Sequence, residues 1–221
     1  MNQDKIVVVM GGTSTEAEIS RQTGNAILKA LQTKGYNAEG MELVPANFAE
    51  DIKKRNCAIV FNALHGKYGE DGILQGTLDM LGIPYTGSGV LAAAITMDKA
   101  ASKRVFVAEG ISTPRSHTYH SFEMKRDLVK EIEQSFKLPV VVKAASQGSS
   151  IGVYIVESKE ELASSLKEAF KYNDEVLVEE FIKGKELTVA VWGNAEAKEA
   201  FPVIEITTAS GRYDYESKYT K

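Results

Sequence analysis

A continuous apolar run, Ile6–Met10, followed at once by Gly11 and Gly12, constrains the fold more than any other stretch of the chain. Such a run before a glycine pair is typical of a buried parallel strand that enters a tight turn. A helical pattern follows and ends at Gly35; its inward positions are Ile19, Thr23, Ala26, Ile27, Ala30 and Leu31. Strand patterns at 41–44 and 58–64 continue the alternation. This order predicts a doubly wound parallel sheet.

The turns after Met10 and Leu64 are the first places to look for a site, because such sheets bind ligands where their strands end. The first turn, GGTSTEAEIS, lacks the G-x-G-x-x-G pattern of dinucleotide-binding proteins. Its Glu16 has two interpretations. Thr13 and Glu16 stand in the S/T-x-x-E relation, so spacing alone favours a capping box. Alternatively, the Glu16 carboxylate faces the open end of the sheet and binds a substrate ammonium.

The later turn, HGKYGEDG at 65–72, combines glycines with titratable side chains, which favours a site over a core. A single histidine is often structural. His65, however, follows a central strand and is therefore a better candidate for a site residue than most histidines. Helices are predicted at 73–81 and 90–106, with a short strand and turn between them. Lys99 lies inside the second of these helices, where its spacing assigns it no special role.

The stretch PVVVKAASQGSSIGV, residues 139–153, predicts a strand, a loop of small residues and a second strand. Small side chains let backbone N–H groups approach an anion, and Lys143 stands at the mouth of the loop. We interpret the loop as a cover over nucleotide phosphates. It is not a Walker A loop, because the lysine precedes it and a strand follows. A polar hairpin with a solvated Lys143 explains the pattern equally well.

The second half of the chain is predicted to form a small α+β unit after a boundary near 110–114. An amphipathic helix at 121–136 precedes the glycine loop, and Ser158 and Glu161 start another as a capping box. Glu179 and Glu180 are consecutive in the strand at 175–182, so they point to opposite faces. A hairpin at 186–206 turns at 193–194, and the tail at 211–221 has the pattern of a loop.

Composition excludes several classes of function. The formal charge of −4 gives no basis for nucleic-acid binding. The one cysteine, Cys57, excludes an intrachain disulfide and indicates a reducing compartment. No apolar run approaches the ~20 residues of a membrane-spanning helix. We therefore expect a cytoplasmic protein without a membrane or nucleic-acid partner.

Six segments taken together resemble the D-alanine–D-alanine ligases of the ATP-grasp superfamily. They occur in that family's order, near its spacing and over essentially the whole chain; they are GGTSTEAEIS, ALHGKYGEDGILQGTLDMLGIPYTGSGV, MDKAASK, PVVVKAASQGSSIGV, VLVEEFIKGKELTVAV and YDYESKYTK. The resemblance implies a Rossmann-like substrate domain at 1–98. An ATP-grasp small lobe at 99–182 follows it, and the start of the second, truncated lobe lies at 183–221.

The resemblance also implies a substrate subsite. Glu16 would bind the ammonium of the first D-alanine and be held by hydrogen bonds to Ser149 and Tyr219, which makes these three the catalytic residues. His65 would lie at the same subsite. Lys218 and Tyr219 would belong to a mobile loop that closes over it, and a tyrosine there fits dipeptide ligases.

The implied ATP-binding residues are Lys99, Lys143, Gly148, Ser149, Ser150, Glu179, Glu180, Phe181, Ile182 and Glu186. Of these, Lys99 and Lys143 would contact phosphates, and Glu179 would face the adenine amine. Phe181 and Ile182 would line the hinge pocket, and Glu186 would bind the ribose hydroxyls.

The implied reaction joins two D-alanines for peptidoglycan precursors through an acylphosphate made with ATP. Two Mg²⁺ ions, or Mn²⁺, would assist, but their ligands are expected beyond Lys221 and none is assigned in this chain. We therefore expect weak ATP binding and little turnover from these 221 residues alone. The family resemblance further implies a homodimer.

Three alternatives remain open. The chain could bind nucleotide without catalysis, or it could be an ATP-grasp ligase for another carboxylate, such as one forming D-alanyl-D-lactate. The third alternative is a nicotinamide oxidoreductase. Only the first predicted sheet fits that class, and the chain lacks the G-x-G-x-x-G pattern of dinucleotide-binding proteins.

Overall fold

The computed structural model describes residues 4–194 and 196–208. The first half contains the elements β1 Ile6–Met10, α1 Ala17–Thr33, β2 Ala38–Glu42, α2 Phe48–Arg55, β3 Ile59–Asn62, α3 Ile73–Leu81, α4 Val90–Met97 and α5 Lys99–Ala108. The second half contains β4 Ser116–His120, α6 Leu128–Ser135, β5 Val140–Ala144, β6 Val153–Val156, α7 Lys159–Ala169, β7 Glu175–Glu180, β8 Glu186–Thr188, β9 Val191–Gly193, β10 Lys198–Ala200 and β11 Ile204–Ile206.

The first sheet is parallel, in the order β2-β1-β3, with Val8 in register with Gly40 and Phe61. Tyr85 adds a single parallel bridge beside β3, where a short strand was predicted. Val8 on one face packs with α1, while Val7 and Val9 on the other join the core of α2 and α3. Helices on both faces confirm the predicted doubly wound sheet.

The second sheet is antiparallel, in the order β4-β7-β5-β6. One face of this sheet packs against α6 and α7 and forms a core that includes Val140, Val142 and Val178. Because side chains alternate along a strand, Lys143, Leu177 and Glu179 point to the opposite face. The functional side chains of this unit therefore lie on the face that α6 and α7 leave uncovered.

The last described part is a hairpin in two short ladders, β8 with β11 and β9 with β10. Asn194 N donates to Ala197 O at 2.9 Å, which places the turn near the predicted 193–194. In the part of the chain that the structure describes, no helix combines the length and the apolar character that crossing a bilayer requires.

Three local predictions are wrong. The helix at 90–106 is interrupted, because the Asp98 side chain accepts from Ala101 N at 2.8 Å and starts α5 anew. The helix at 121–136 is a 3-10 turn, Ser121–Lys125, followed by α6, which Asp127 caps. The second strand occupies Ala38–Glu42, earlier than expected.

Candidate functional site

Lys99 joins the two halves of the molecule at the carboxyl end of β5. Its backbone N–H donates to Ala145 O at 3.0 Å. Its ammonium donates to Ala144 O at 3.2 Å and Ala145 O at 3.4 Å, and to Gln147 O as well. Lys99, to which the sequence pattern assigned no special role, thus holds the start of the glycine loop through three carbonyl groups.

The setting of Lys99 lowers the pKa of its ammonium to about 8. Burial is the main cause, because removal from water penalises the charged form, and the positive charge of Lys143 acts in the same direction. The carboxylates of Asp98 and Glu179 oppose the shift. Lys99 and Lys143 therefore lie close enough to repel each other, which makes the place attractive to an anion.

Glu179 lies between two lysines beside this loop. Its Oε2 accepts from Lys103 Nζ at 2.9 Å, and its Oε1 forms an ion pair with Lys143 Nζ. The Glu179 side chain is 7% exposed, and Lys103 is also well covered at 11%. One carboxylate shared by two ammonium groups leaves a net positive charge, so the cluster both neutralises Glu179 and attracts anions.

These side chains line a cavity of about 410 Å³ between α5 and the second sheet. Its residues are Thr96, Lys99, Ser102, Lys103, Phe106, Thr113, Pro114, Lys143, Leu177 and Glu179. Phe106, Pro114 and Leu177 give it apolar walls, and the lysines give it a cationic end. An apolar slot that ends in cations suits a planar base joined to phosphates.

Glu16 lies where the first sheet meets the glycine loop. It is buried, with 4% of the residue exposed. A methyl group placed on Gly148 would lie 2.6 Å from Glu16 Oε2, and one on Gly66 would lie 3.0 Å from it. Turns from two distant parts of the chain therefore lie against this carboxylate, and a side chain at position 148 would force the carboxylate to move.

The capping box predicted for Thr13 and Glu16 is wrong. Glu16 occupies the N-cap position of α1 but makes no capping hydrogen bond with its side chain. Ser14 Oγ accepts from Glu16 N at 3.2 Å instead and donates to His65 O at 2.8 Å. The Glu16 carboxylate is thus directed toward Gly66 and Gly148 and away from its own helix. Its binding of a substrate ammonium stays a prediction.

His65 is held close to this junction. Its Nε2 lies 3.1 Å from Thr23 Oγ1 on α1. The charged residues after it brace their own turn: Glu70 Oε2 accepts from Gly66 N, and Asp71 Oδ2 accepts from Tyr68 N, both at 2.8 Å. These two carboxylates of the HGKYGEDG turn therefore stabilise the turn by accepting hydrogen bonds from its backbone.

The loop between β5 and β6 places Gly148 beside Glu16, and Lys99 holds the preceding residue, Gln147, by its carbonyl oxygen. Ser149 has a φ of 53° and Ser150 a φ of 67°, a left-handed conformation that is uncommon for residues other than glycine. Gln147 at the start of the loop donates from Nε2 to Tyr172 O at 3.3 Å. This loop is the segment that connects the cationic cavity with the Glu16 junction.

Other predicted residues are not among those that line this cavity. The Glu180 carboxylate is on the opposite face of β7 and accepts from Arg115 N at 2.9 Å, so the structure does not bring it to Glu179. Phe181, Ile182 and Glu186 follow the end of β7 and are exposed. Lys218 and Tyr219 lie outside the described residues.

Sequence reasoning missed Lys103 and Thr113. The signal for Lys103 was present, since Lys99 and Lys103 are four residues apart and share one face of α5. Nothing in the pattern marked Thr113, which reaches the Lys103 ammonium at 2.8 Å. Among the described residues, no group of three or more His, Cys, Asp or Glu side chains could hold a metal ion.

Comparisons with known proteins agree with this geometry. The family model described as D-ala D-ala ligase C-terminus matches residues 106–221, and the one described as D-ala D-ala ligase N-terminus matches residues 38–88. Together they include the glycine loop, the Lys143–Glu179 pair and the His65 turn.

Individual relatives extend the match to nearly the whole chain. A D-alanine–D-alanine ligase from Carboxydothermus hydrogenoformans is 47% identical over 219 residues, which cover 98% of this chain and 69% of that protein. The crystal structure of the Bacillus anthracis D-alanine–D-alanine ligase complexed with ATP is 36% identical with a TM-score of 0.80, covering 97% of this chain and 68% of that one. The VanG D-Ala:D-Ser ligase from Enterococcus faecalis is 31% identical with a TM-score of 0.80, covering 100% of this chain and 74% of that one. The chain therefore belongs to the D-alanine–D-alanine ligase family.

Proposed function

We propose that this chain binds ATP and D-alanine for the ligation of two D-alanines to D-alanyl-D-alanine through an acylphosphate, in peptidoglycan precursor synthesis in the cytoplasm. One observation carries the proposal: a single loop connects the cationic cavity with the buried Glu16. Lys99 holds the start of this loop through carbonyl oxygens, and Gly148 within it packs against Glu16. A nucleotide in the cavity and a substrate ammonium at Glu16 would therefore lie on either side of the same loop.

The residues then have separate tasks. Lys99 and Lys143 neutralise phosphate charge as it shifts during phosphoryl transfer. Glu16 binds the ammonium of the first D-alanine, with Ser149 and Tyr219 in support and His65 at the same subsite. This arrangement fixes the direction of the D-alanine carboxylate toward the phosphate, and positioning of this kind can supply much of the rate.

The loop formed by Gly148, Ser149 and Ser150 covers the reacting groups. An acylphosphate hydrolyses in water, so a cover that excludes water preserves it until the second amine attacks. We propose that Lys218 and Tyr219 complete this cover, that Glu186 binds the ribose, and that Phe181 and Ile182 line the hinge pocket that follows β7. Magnesium or manganese is expected to assist, but the described residues provide no ligand set, so no step is assigned to a metal.

The test is an ADP-release assay with ATP and magnesium, with and without D-alanine, and mass spectrometry for the dipeptide. We expect ATP binding and a low rate of D-alanine-dependent ADP release, because the described residues provide no group of metal ligands. Glu16→Gln should remove the D-alanine-dependent part and keep ATP binding. Lys167→Met, on an exposed position of α7, is the matched control and should change neither.

The assay also separates the alternatives. ATP binding with no response to D-alanine would indicate a non-catalytic nucleotide-binding chain. Failure to bind ATP would refute the proposal.

A second candidate is a ligase that accepts another second substrate. The similarity to a D-Ala:D-Ser ligase, at a TM-score of 0.80, favours testing it. Parallel reactions with D-alanine plus D-serine or D-lactate would reveal mixed products by mass. We expect D-alanyl-D-alanine to dominate. We also propose a homodimer, which light scattering would measure directly.

A further inference from the structure

Lys103 has a place in the site that neither the sequence nor the proposed reaction assigns to it. It lies one helical turn after Lys99 on α5, and its ammonium contacts two groups, Glu179 Oε2 at 2.9 Å and Thr113 Oγ1 at 2.8 Å. With 11% of its side chain exposed, it is well covered for a lysine. Burial of this kind is costly unless the charge is paired, so the contact with Glu179 has to be maintained.

The two lysines on Glu179 are not equivalent. Lys143 is more exposed, with 27% of its side chain accessible, and it lies at the mouth of the glycine loop. An anion in the cavity would compete with Glu179 for Lys143. Lys103 is anchored by Thr113 as well and is the more enclosed of the two. When phosphates occupy the cavity, Lys103 is therefore the partner that keeps the Glu179 carboxylate in place.

We infer that Lys103 is a positioning residue that holds Glu179 for recognition of a purine bearing an exocyclic amine. This inference rests on the proposed nucleotide binding, with Glu179 facing the adenine amine as the family resemblance implies. An ionised carboxylate only accepts hydrogen bonds, so it favours a base that presents an N–H₂ group. A base that presents a carbonyl at the same position places two acceptors against each other, which is a repulsive contact. Lys103 keeps the carboxylate oriented so that this discrimination operates.

The test compares equilibrium binding of ATP and ITP, which differ at this position by an amine and a carbonyl. Isothermal titration in magnesium-containing buffer without D-alanine avoids turnover. We expect the protein to prefer ATP, and Lys103→Met to reduce the ATP-to-ITP affinity ratio about tenfold, since a charge-assisted hydrogen bond is lost. Where turnover is measurable, KM for ATP should rise while kcat changes little.

A second variant tests the same inference in case Lys103→Met does not fold. Thr113→Val removes the other anchor of the Lys103 ammonium and should reduce the same ratio about threefold. Lys167→Met on α7 is the control and should leave the ratio unchanged. Thermal melting of each variant establishes that the protein is folded.

The outcomes are distinct. If Lys103→Met weakens ATP and ITP equally, Lys103 has a general structural or electrostatic role and the inference is overturned. Equal binding of ATP and ITP by the unmodified protein would also overturn it, while nucleotide binding would stand. If the unmodified protein binds neither, the proposed function fails first.

Discussion

Nucleotide binding above pH 8 is expected to take up a proton at Lys99. The pKa of this ammonium is lowered to about 8 by burial and by the charge of Lys143. At pH 8 about half of the Lys99 side chains are then neutral, and at pH 9 about nine-tenths. A bound phosphate favours the charged form, so binding raises the Lys99 pKa and draws a proton from solution.

The expected magnitudes follow from that pKa. Proton uptake per bound nucleotide should be about 0.1 at pH 7, about 0.5 at pH 8 and about 0.9 at pH 9. The apparent affinity should weaken as the pH rises, approaching about tenfold per pH unit above pH 8. Titration of ATP itself does not interfere at pH 8 and above, because a phosphate with a second pKa near 6 is fully ionised there, whereas at pH 7 about a tenth of it still carries a proton.

The assay is isothermal titration of ATP at each pH in two buffers that differ in ionisation enthalpy. The difference in observed heat divided by the difference in ionisation enthalpy is the number of protons taken up. Lys99→Arg is the matched variant, since arginine stays charged throughout this range. It should still bind ATP but show no uptake.

Two results would refute the reasoning. If Lys99→Arg takes up as many protons as the unmodified protein, the titrating group lies elsewhere. If the unmodified protein takes up none at pH 8.5, Lys99 either keeps its proton in the free protein or does not meet the phosphates.

Three further changes test the surrounding structure. Gly148→Ala should lower D-alanine affinity about tenfold or more, because the new methyl lies 2.6 Å from Glu16 Oε2 and displaces it. Gly184→Ala, with open space around it, is the control, and equal effects on D-alanine affinity would contradict this explanation. Ser20→Ala should lower the free energy of unfolding by about 2 kcal/mol in urea titrations, because the buried Ser20 hydroxyl bridges Gly11 N and Ala63 O at 2.8 Å each. An unchanged urea midpoint would show that Gly11 N and Ala63 O find other partners. Ser158→Ala should cost about 1 kcal/mol by removing the N-cap of α7, and a loss below measurement error would argue against the cap.

Much of this architecture could be predicted from short stretches of the chain. Ile6–Met10 became a buried parallel strand, Ser158 and Glu161 formed their capping box, and Glu179 and Glu180 point to opposite faces. Each of these features depends on residues that are neighbours in sequence. Hydrophobic period, cap spacing and strand alternation are local properties, so the order of residues is enough to indicate them.

The site itself depended on contacts between distant segments. The S/T-x-x-E spacing of Thr13 and Glu16 indicated a local cap, yet the Glu16 carboxylate lies against Gly148. Lys99 had the pattern of an ordinary helix lysine, and its meeting with the end of β5 was visible only after the chain folded. Lys103 likewise contacts a glutamate far along the chain, Glu179. Spacing indicates which face of an element a side chain occupies, but the partner that meets it there depends on how the two halves of the chain contact each other.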